Sequence, residues 1–262
     1  SHFPTRTKTM DRFSDNLFNP YDSNPTNANH AFGDFTKCTQ KPLVMGATVL
    51  GLEYQDGVMI ATDTLGSWGQ LARYRSESRI YPVGNFTVLG AAGDLSDFQH
   101  TKHMLDSLMI KEYYINDDHV LSTPHIYEYL SRVLYHRRTK LDPLWNTYVV
   151  GGYNNGERFL GYVDLLGTTY QSSIVATGLG AYFTQPILRN AVEGREGLLT
   201  EAEAIEILNT CMKILVYREC KTMNRVQRAK VTADGVEISE PYSVPTEWSF
   251  GEGIRGFGTQ TQ

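Results

Sequence analysis

The residues whose types could support chemistry gather around residues 45–49, which read Met-Gly-Ala-Thr-Val and open a strand-like run. A threonine with a free α-amine can act as a nucleophile, because its hydroxyl attacks while the amine serves as the base. Ala47 has no hydroxyl and cannot take that part. Thr48, one residue later, and Thr39, directly after Cys38, keep an active threonine protease open as an alternative.

Composition argues against several other classes of protein. The 262-residue chain can bury a full core, and its formal net charge of −5 gives no overall basic surface for nucleic acid. Its widely spaced cysteines fit neither a disulfide framework nor a zinc site, which favours a reducing compartment. The histidines show no metal-ligand spacing, so we expect no metal and no cofactor. Since no apolar run could span a membrane, we expect a cytoplasmic and nuclear protein without nucleic-acid or membrane partners.

Composition also divides the chain into three segments. Residues 1–38 are rich in polar residues, with scattered aromatics and no period, which is typical of a leader arm. Residues 39–240 carry the strand and helix patterns of one folded domain. Residues 241–262 again lack periodicity, and we interpret them as a C-terminal extension that contacts partners.

Alternating apolar residues predict strands, and a 3.6-residue period predicts helices. The predicted strands cover residues 48–54, 58–64, 80–83, 87–92, 147–152, 158–164, 168–170, 229–232 and 236–238. Four helices are predicted. The first follows Gly93 with Ser96 as its N-cap, and the second begins at Thr123. The third spans residues 182–192, and the fourth begins at the capping box of Thr200 and Glu203. Two groups of strands and helices in this order predict two antiparallel sheets between layers of helices.

Several segments resemble proteasome beta subunits. The similar segments are residues 46–50, 57–63, 78–80 and 89–94. Residues 142–146, 176–178 and 256–260 resemble more narrowly the non-catalytic beta-7 type, also called beta type-4. The resemblance implies an α+β fold, a four-layer αββα sandwich of the N-terminal-nucleophile hydrolase type. It also implies a structural role in the beta ring of the 20S core particle, which performs ubiquitin- and ATP-dependent protein degradation.

The same resemblance indicates a degenerate active site. The position of the family's threonine nucleophile falls on Ala47, that of its strand-end aspartate on Asp63, and that of its lysine on Arg79. The family's turn serine falls on Leu179. Its supporting aspartate and serine fall on Glu219 and Thr222. Arginine can hold Asp63 bidentately but cannot titrate near neutral pH. Leu179 cannot hydrogen-bond a threonine amine, and the longer side chain of Glu219 would displace its carboxylate. Since these groups act only through the nucleophile, we expect an inactive subunit of a threonine protease complex.

The expected partners follow from the resemblance too. They are other beta subunits in the same and opposite ring, alpha-ring subunits and assembly chaperones. Trimming between Cys38 and Thr39 by a neighbouring active subunit would remove the leader, whereas a retained leader would mark an assembly intermediate. The tail would reach between subunits of the opposite ring, and its expected anchors are Trp248, Phe250 and Phe257. A cut after Glu240 should leave the fold intact.

Simpler interpretations stand beside these. We favour Asp63 and Arg79 as a buried ion pair kept for structure over a surviving pocket. The basic residues at 136–140 are interpreted as a solvated helix end or a subunit contact, not a nucleic-acid patch. A free binding protein on the same scaffold is a further alternative, from which a ring subunit would differ by exposing large apolar flanks when alone.

Overall fold

The computed structural model describes residues 41–115, 117, 119–154 and 156–249. The predicted leader at 1–38, the cleavage candidates Cys38 and Thr39, and the anchors Phe250 and Phe257 lie outside these residues. Within the described ranges, no helix is long and apolar enough to cross a membrane.

The elements follow the order that the sequence predicts. The strands are β1 (Val44–Gly46), β2 (Val49–Tyr54), β3 (Gly57–Asp63), β4 (Gly66–Trp68), β5 (Leu71–Tyr74), β6 (Ile80–Val83), β7 (Thr87–Asp94), β8 (Asn146–Asn154), β9 (Glu157–Val163), β10 (Thr169–Gln171), β11 (Ile174–Ala176), β12 (Val226–Thr232) and β13 (Gly235–Ile238). The helices are α1 (Leu95–Ile115), α2 (Thr123–Thr139), α3 (Gly180–Val192) and α4 (Glu201–Arg218).

The strands form two antiparallel sheets. The first sheet has the order β10-β9-β8-β7-β1-β4-β5, with β6 also paired to β7, and the second has the order β11-β2-β3-β12-β13. Tight turns set the register of the hairpins, with Tyr54 opposite Gly57 and Thr232 opposite Gly235. The prediction of antiparallel sheets is confirmed.

The two sheets face each other across an apolar core. Val49 and Ile60 from the second sheet share this layer with Val88 and Val149 from the first. Helices α1 and α2 cover the outer face of the first sheet, and α3 and α4 cover that of the second. Apolar side chains are thus buried in three layers, one between the sheets and one between each sheet and its helices. The four layers are therefore helix, sheet, sheet and helix, as predicted.

Asp94, the last residue of β7, caps helix α1. Its Oδ2 accepts hydrogen bonds from the main-chain N–H groups of Ser96 and Asp97 at 3.0 and 3.2 Å. The prediction of Ser96 as the N-cap is wrong, because β7 continues to Asp94 and the helix begins at the next residue. The predicted capping box of α4 is present, since Thr200 and Glu203 each accept a hydrogen bond from the other's main-chain N–H.

Four short strands were not predicted: β1, β4, β5 and β11. Each contains only three or four residues, which is too short for a period to stand out. Strand β5 is exposed at every position, so it lacks the alternation of a half-buried strand. Strands β1 and β11 each pair with a longer strand, β7 and β2 respectively, whereas β4 and β5 pair with each other as a hairpin beside β1.

The chain beyond Glu240 at first packs on its own domain. The main-chain groups of Tyr242 and Val226 exchange hydrogen bonds of 2.7 and 2.8 Å, and the Tyr242 hydroxyl donates to Asn209 Oδ1 at 2.7 Å. Val244 is 4% exposed and belongs to the core under α3 and α4. The packed domain therefore extends at least to Val244, and a cut after Glu240 would remove part of its core.

We predict that Val244→Ala lowers the free energy of unfolding by about 2 kcal/mol, because buried methyl groups are lost and a cavity remains. Chemical denaturation of the full chain measures this difference. Val120→Ala is the matched control, since Val120 is 73% exposed and should change the same free energy by less than about 0.5 kcal/mol. Equal effects of the two variants would contradict the assignment of Val244 to the core.

Candidate functional site

Ala47 lies where the chain crosses from one sheet to the other. Strand β1 of the first sheet ends at Gly46, and β2 of the second begins at Val49. Residues 47 and 48 form the link between them. Strand β1 pairs with β4 on one side and with β7 on the other, so the chain that leads into Ala47 is itself part of the sheet.

Arg79 organises this link. It directly precedes β6 and is fully buried. Its Nη1 donates to the carbonyls of Ala47 and Ala91 at 3.1 and 3.0 Å. Its Nη2 donates to the Thr48 carbonyl at 3.1 Å and to the Asp63 carboxylate. Its Nε donates to the Asp63 carbonyl at 3.1 Å, so every N–H donor of the guanidinium has an acceptor.

Asp63 ends strand β3 and is the counter-charge of Arg79. The predicted bidentate contact is wrong in its form, because only Oδ1 meets the guanidinium, while Oδ2 accepts the main-chain N–H of Met223 at 3.3 Å. Burial raises the pKa of the Asp63 carboxyl, and the Arg79 charge and the Met223 N–H oppose that rise. The buried ion pair favoured from the sequence is present.

The hydroxyl of Thr48 has partners in both directions. It donates to Glu219 Oε2 at 2.8 Å and accepts the main-chain N–H of Gly180 at 3.0 Å. Thr222 also donates to Glu219 Oε2, at 2.7 Å. The structure thus brings Glu219 and Thr222 together near Thr48. Glu219 Oε2 joins the link to the end of α4, and the Thr48 hydroxyl joins the link to the start of α3.

Leu179 takes no part in this cluster through its side chain, which is 56% exposed. The next residue, Gly180, makes the contact with its main chain instead. A Cβ at Gly180 would lie 2.2 Å from Thr48 Cγ2, a distance that no packed pair of carbons tolerates. Glycine is therefore required here by the close approach of the helix start to the link.

Sequence reasoning missed the main-chain groups of the site. The carbonyls of Ala47, Thr48 and Ala91 accept from Arg79, but a carbonyl is present at every residue and carries no signal in the residue type. Gly46 was also missed, although a Cβ there would lie 2.4 Å from Arg79 Cδ. The glycine at residue 46 was the one available signal, because a residue without a Cβ allows a large side chain to pack against its main chain.

Trp248 is the interface candidate that the structure describes. It remains 56% exposed, and its ring meets Tyr217 edge to face with centroids 4.9 Å apart. The Tyr217 hydroxyl in turn donates to the Glu247 carbonyl at 3.0 Å. Helix α4 therefore contacts Trp248 through Tyr217, while much of the indole surface remains exposed.

No group of three or more potential metal ligands comes together in the described part of the chain. The titratable groups that do meet near Ala47 are Asp63, Arg79 and Glu219. Each has partners from the protein, as described above. These three side chains are therefore joined to the surrounding main chain and to Thr48 by a network of hydrogen bonds.

A family model described as proteasome subunit matches residues 44–231 of this chain. The chain belongs to the proteasome subunit family. The matched range begins with β1 and ends inside β12, so it contains the first sheet, all four described helices and the second sheet apart from the end of β12 and β13. The resemblance and the fold class inferred from the sequence are confirmed.

Named relatives give the same result over most of the chain. It is 46% identical over 219 residues to "Proteasome subunit beta type-4" from Xenopus laevis, which covers 84% of this chain and 90% of that protein. It is 42% identical over 226 residues to "Probable proteasome subunit beta type-7" from Schizosaccharomyces pombe, with 85% and 86% covered. It is 38% identical over 231 residues to "Proteasome subunit beta type-7" from Saccharomyces cerevisiae, with 85% and 87% covered.

We predict that Arg79→Met lowers the free energy of unfolding by about 3–5 kcal/mol at neutral pH, because Asp63 would keep a buried charge without its partner. The pKa of Asp63, already raised by burial, should rise further without the guanidinium. The folded variant then binds a proton more readily than the unfolded chain. The difference in free energy of unfolding between the variant and the unsubstituted protein should therefore become smaller as the pH falls from about 7 to about 5.

Denaturation midpoints across this pH range measure the deficit. The control is Arg79→Met combined with Asp63→Asn, which removes the unpaired Asp63 carboxylate and therefore its uptake of a proton. The double variant should show no recovery on acidification. A deficit of Arg79→Met that stays constant with pH would contradict the assignment of the buried charge to Asp63.

Proposed function

We propose that this proteasome subunit is a non-catalytic, structural member of the beta ring of the core particle. The observation that carries the proposal is Ala47, which has no hydroxyl and whose nitrogen is an ordinary amide after Gly46. Neither the attacking group nor the amine base of a threonine protease can form there. The subunit would contribute to protein degradation by completing the complex, without cutting substrates itself.

The surroundings of Ala47 support this proposal. All donors of the Arg79 guanidinium are engaged, four hydrogen bonds going to main-chain carbonyls. A guanidinium stays protonated near neutral pH and so cannot serve as a base. The group that the family resemblance assigns to a lysine therefore has a structural task here.

The alternative is an active threonine protease that uses Thr48 or Thr39. Thr48 is buried, and its hydroxyl already donates to Glu219 and accepts from Gly180. Attack would require these contacts to break and the chain to be cut directly before Thr48, which would also separate β1 from β2. Thr39 lies outside the described residues, and the labelling experiment below tests both threonines.

Exposed aromatic and aliphatic side chains support burial of this chain among neighbours. Tyr113 and Tyr114 at the end of α1, Tyr182 on α3 and Trp248 are largely or partly uncovered. Such surface favours association, which argues against a free binding protein. The proposed partners are beta subunits of the same and opposite ring, alpha-ring subunits and, during assembly, chaperones. The proposed locations are the cytoplasm and the nucleus, with trimming between Cys38 and Thr39 by a neighbouring subunit.

The proposal predicts that an electrophile selective for N-terminal threonine leaves this chain unlabelled in the purified particle. Intact-mass spectrometry of each separated chain provides the measurement. Adducts on other beta chains of the same sample are the internal control for reagent activity. An adduct on this chain at Thr39 or Thr48 would make it an enzyme and would overturn the proposal.

Ala47→Thr offers a sharper test. We expect this variant also to remain unlabelled, because Arg79 supplies no titratable amine and its position is held by the surrounding carbonyls. The same mass measurement on particles that carry the variant decides the outcome. Labelling of Thr at residue 47 would show that the missing hydroxyl was the sole defect of the site.

A further inference from the structure

Thr64 holds the loop that joins β5 to β6. This threonine directly follows β3 and is buried. Its hydroxyl lies within hydrogen-bonding distance of the carbonyls of Arg75 and Arg225, at 3.0 and 3.3 Å. Its own carbonyl accepts the main-chain N–H of Glu77 at 3.0 Å. The main chain is therefore anchored on both sides of Ser76.

The side chain of Ser76 meets a guanidinium. Its hydroxyl oxygen accepts a hydrogen bond from Arg225 Nη1 at 2.8 Å. Ser76 is exposed, and within the described residues its hydroxyl proton meets no acceptor. Arg225 directly precedes β12, so this contact joins the loop to the second sheet. Ser76 therefore presents its hydroxyl to solvent beside a positive charge.

The positive charge around this loop lacks a matching set of acids. Arg73 and Arg75 lie three residues and one residue before Ser76, and both are exposed. No ion pair in the described part of the chain includes Arg73, Arg75 or Arg225. Glu77 follows Ser76 but is exposed, so water weakens its repulsion of a nearby anion. An anion attached at Ser76 would therefore meet guanidinium groups that have no carboxylate partner.

Ser78 provides a contrast within the same loop. It is exposed too, but its hydroxyl contacts the Ile80 carbonyl at 3.0 Å and Gln227 Oε1 at 2.8 Å. The hydroxyl of Ser78 would have to give up these partners before it could react. Exposure does not distinguish the two serines, whereas their hydrogen bonds do.

We propose that Ser76 is a phosphorylation site for a protein kinase that recognises arginines before the serine, and that Arg225 holds the phosphoryl group. Ser76 Oγ forms a bond to the γ-phosphorus of a nucleoside triphosphate, the bond from that phosphorus to the bridging oxygen breaks, and a nucleoside diphosphate leaves. The hydroxyl proton passes to a base of the kinase. The phosphoryl group adds about −1.5 to −2 charge and three acceptor oxygens, which suit the guanidinium of Arg225.

Charge also accounts for recognition by the kinase. Arg73 and Arg75 offer two exposed cations to acidic groups that line the substrate groove of such a kinase. The modification would then tie the loop more firmly to the start of β12. This inference goes beyond the structural role proposed above and does not depend on it. Mapping a phosphoryl group and labelling an N-terminal threonine are separate measurements, so failure of one proposal is distinguishable from failure of the other.

The test uses the full chain, whose folded state is checked by slow hydrogen–deuterium exchange in β3 and β12. The chain is incubated with an arginine-directed serine kinase, magnesium and ATP, and peptide mass spectrometry locates the added phosphoryl group. We expect Ser76 to be modified at least about tenfold faster than Ser78, because Ser78 must first give up its hydrogen bonds. Arg73→Met should slow the modification of Ser76.

Equal modification of the two serines in the folded chain, or modification of neither, would overturn the proposal. A second sample covers the case in which the full chain does not remain folded on its own. It is the chain isolated from particles and their assembly intermediates in the presence of phosphatase inhibitors. A phosphoryl group on Ser76 in either sample supports the proposal, and its absence from both overturns it.

A second measurement tests the role of Arg225. The phosphorylated chain is treated with a non-selective phosphatase, and intact-mass spectrometry follows the loss of the phosphoryl group. Arg225→Met should speed this loss about threefold, because charge-assisted hydrogen bonds no longer hold the phosphoryl oxygens. Arg195→Met is the matched control, since Arg195 pairs with Glu203 instead and should not affect the rate. Equal rates for Arg225→Met and the unsubstituted chain would contradict the role assigned to Arg225.

Discussion

The position of the two sheets around residues 47 and 48 depends on the buried guanidinium of Arg79. It donates to Ala91 in the first sheet, to Asp63 in the second, and to both residues of the link. A buried cation is tolerated only when its charge and its donors are all matched. Arg79 therefore fixes the point at which the chain leaves one sheet and enters the other.

The same contacts support the proposal of a non-catalytic subunit. A group that assists proton transfer must be able to change its protonation state near the working pH. The guanidinium cannot, and its donors are already occupied. Glu219 accepts hydrogen bonds from Thr48 and Thr222 and so ties the end of α4 to the link. The N–H of Gly180 ties the start of α3 to the Thr48 hydroxyl. Residues that resemble catalytic machinery here hold secondary-structure elements together.

The sequence predicted those parts of the fold that are specified locally. The β2–β3 hairpin and the capping box of α4 depend on residues within a few positions of each other, so their patterns are visible in the chain. Strand β5 was missed because all its residues face solvent. Packing of Val244 was missed because its contacts come from elements far away in the sequence.

The candidate site was predicted to a similar extent. Opposite charges and the family resemblance paired Asp63 with Arg79 correctly. The sequence could not indicate that most acceptors of Arg79 are carbonyls, nor that Gly180 would deliver its N–H to Thr48. These contacts arise from the approach of main-chain segments, which becomes visible only when both sheets and α3 are assembled.

The carbonyls around Arg79 also have a consequence for substitutions. A lysine at residue 79 would present a single nitrogen, and the buried carbonyls left without a donor would cost about 1–3 kcal/mol each. Folded domains have only about 5–15 kcal/mol of stability in total, so lysine cannot replace arginine at residue 79 without a large loss of stability, although both carry the same charge. The geometry of the guanidinium therefore restricts which residues this buried junction accepts, whereas exposed positions of the subunit carry no such restriction.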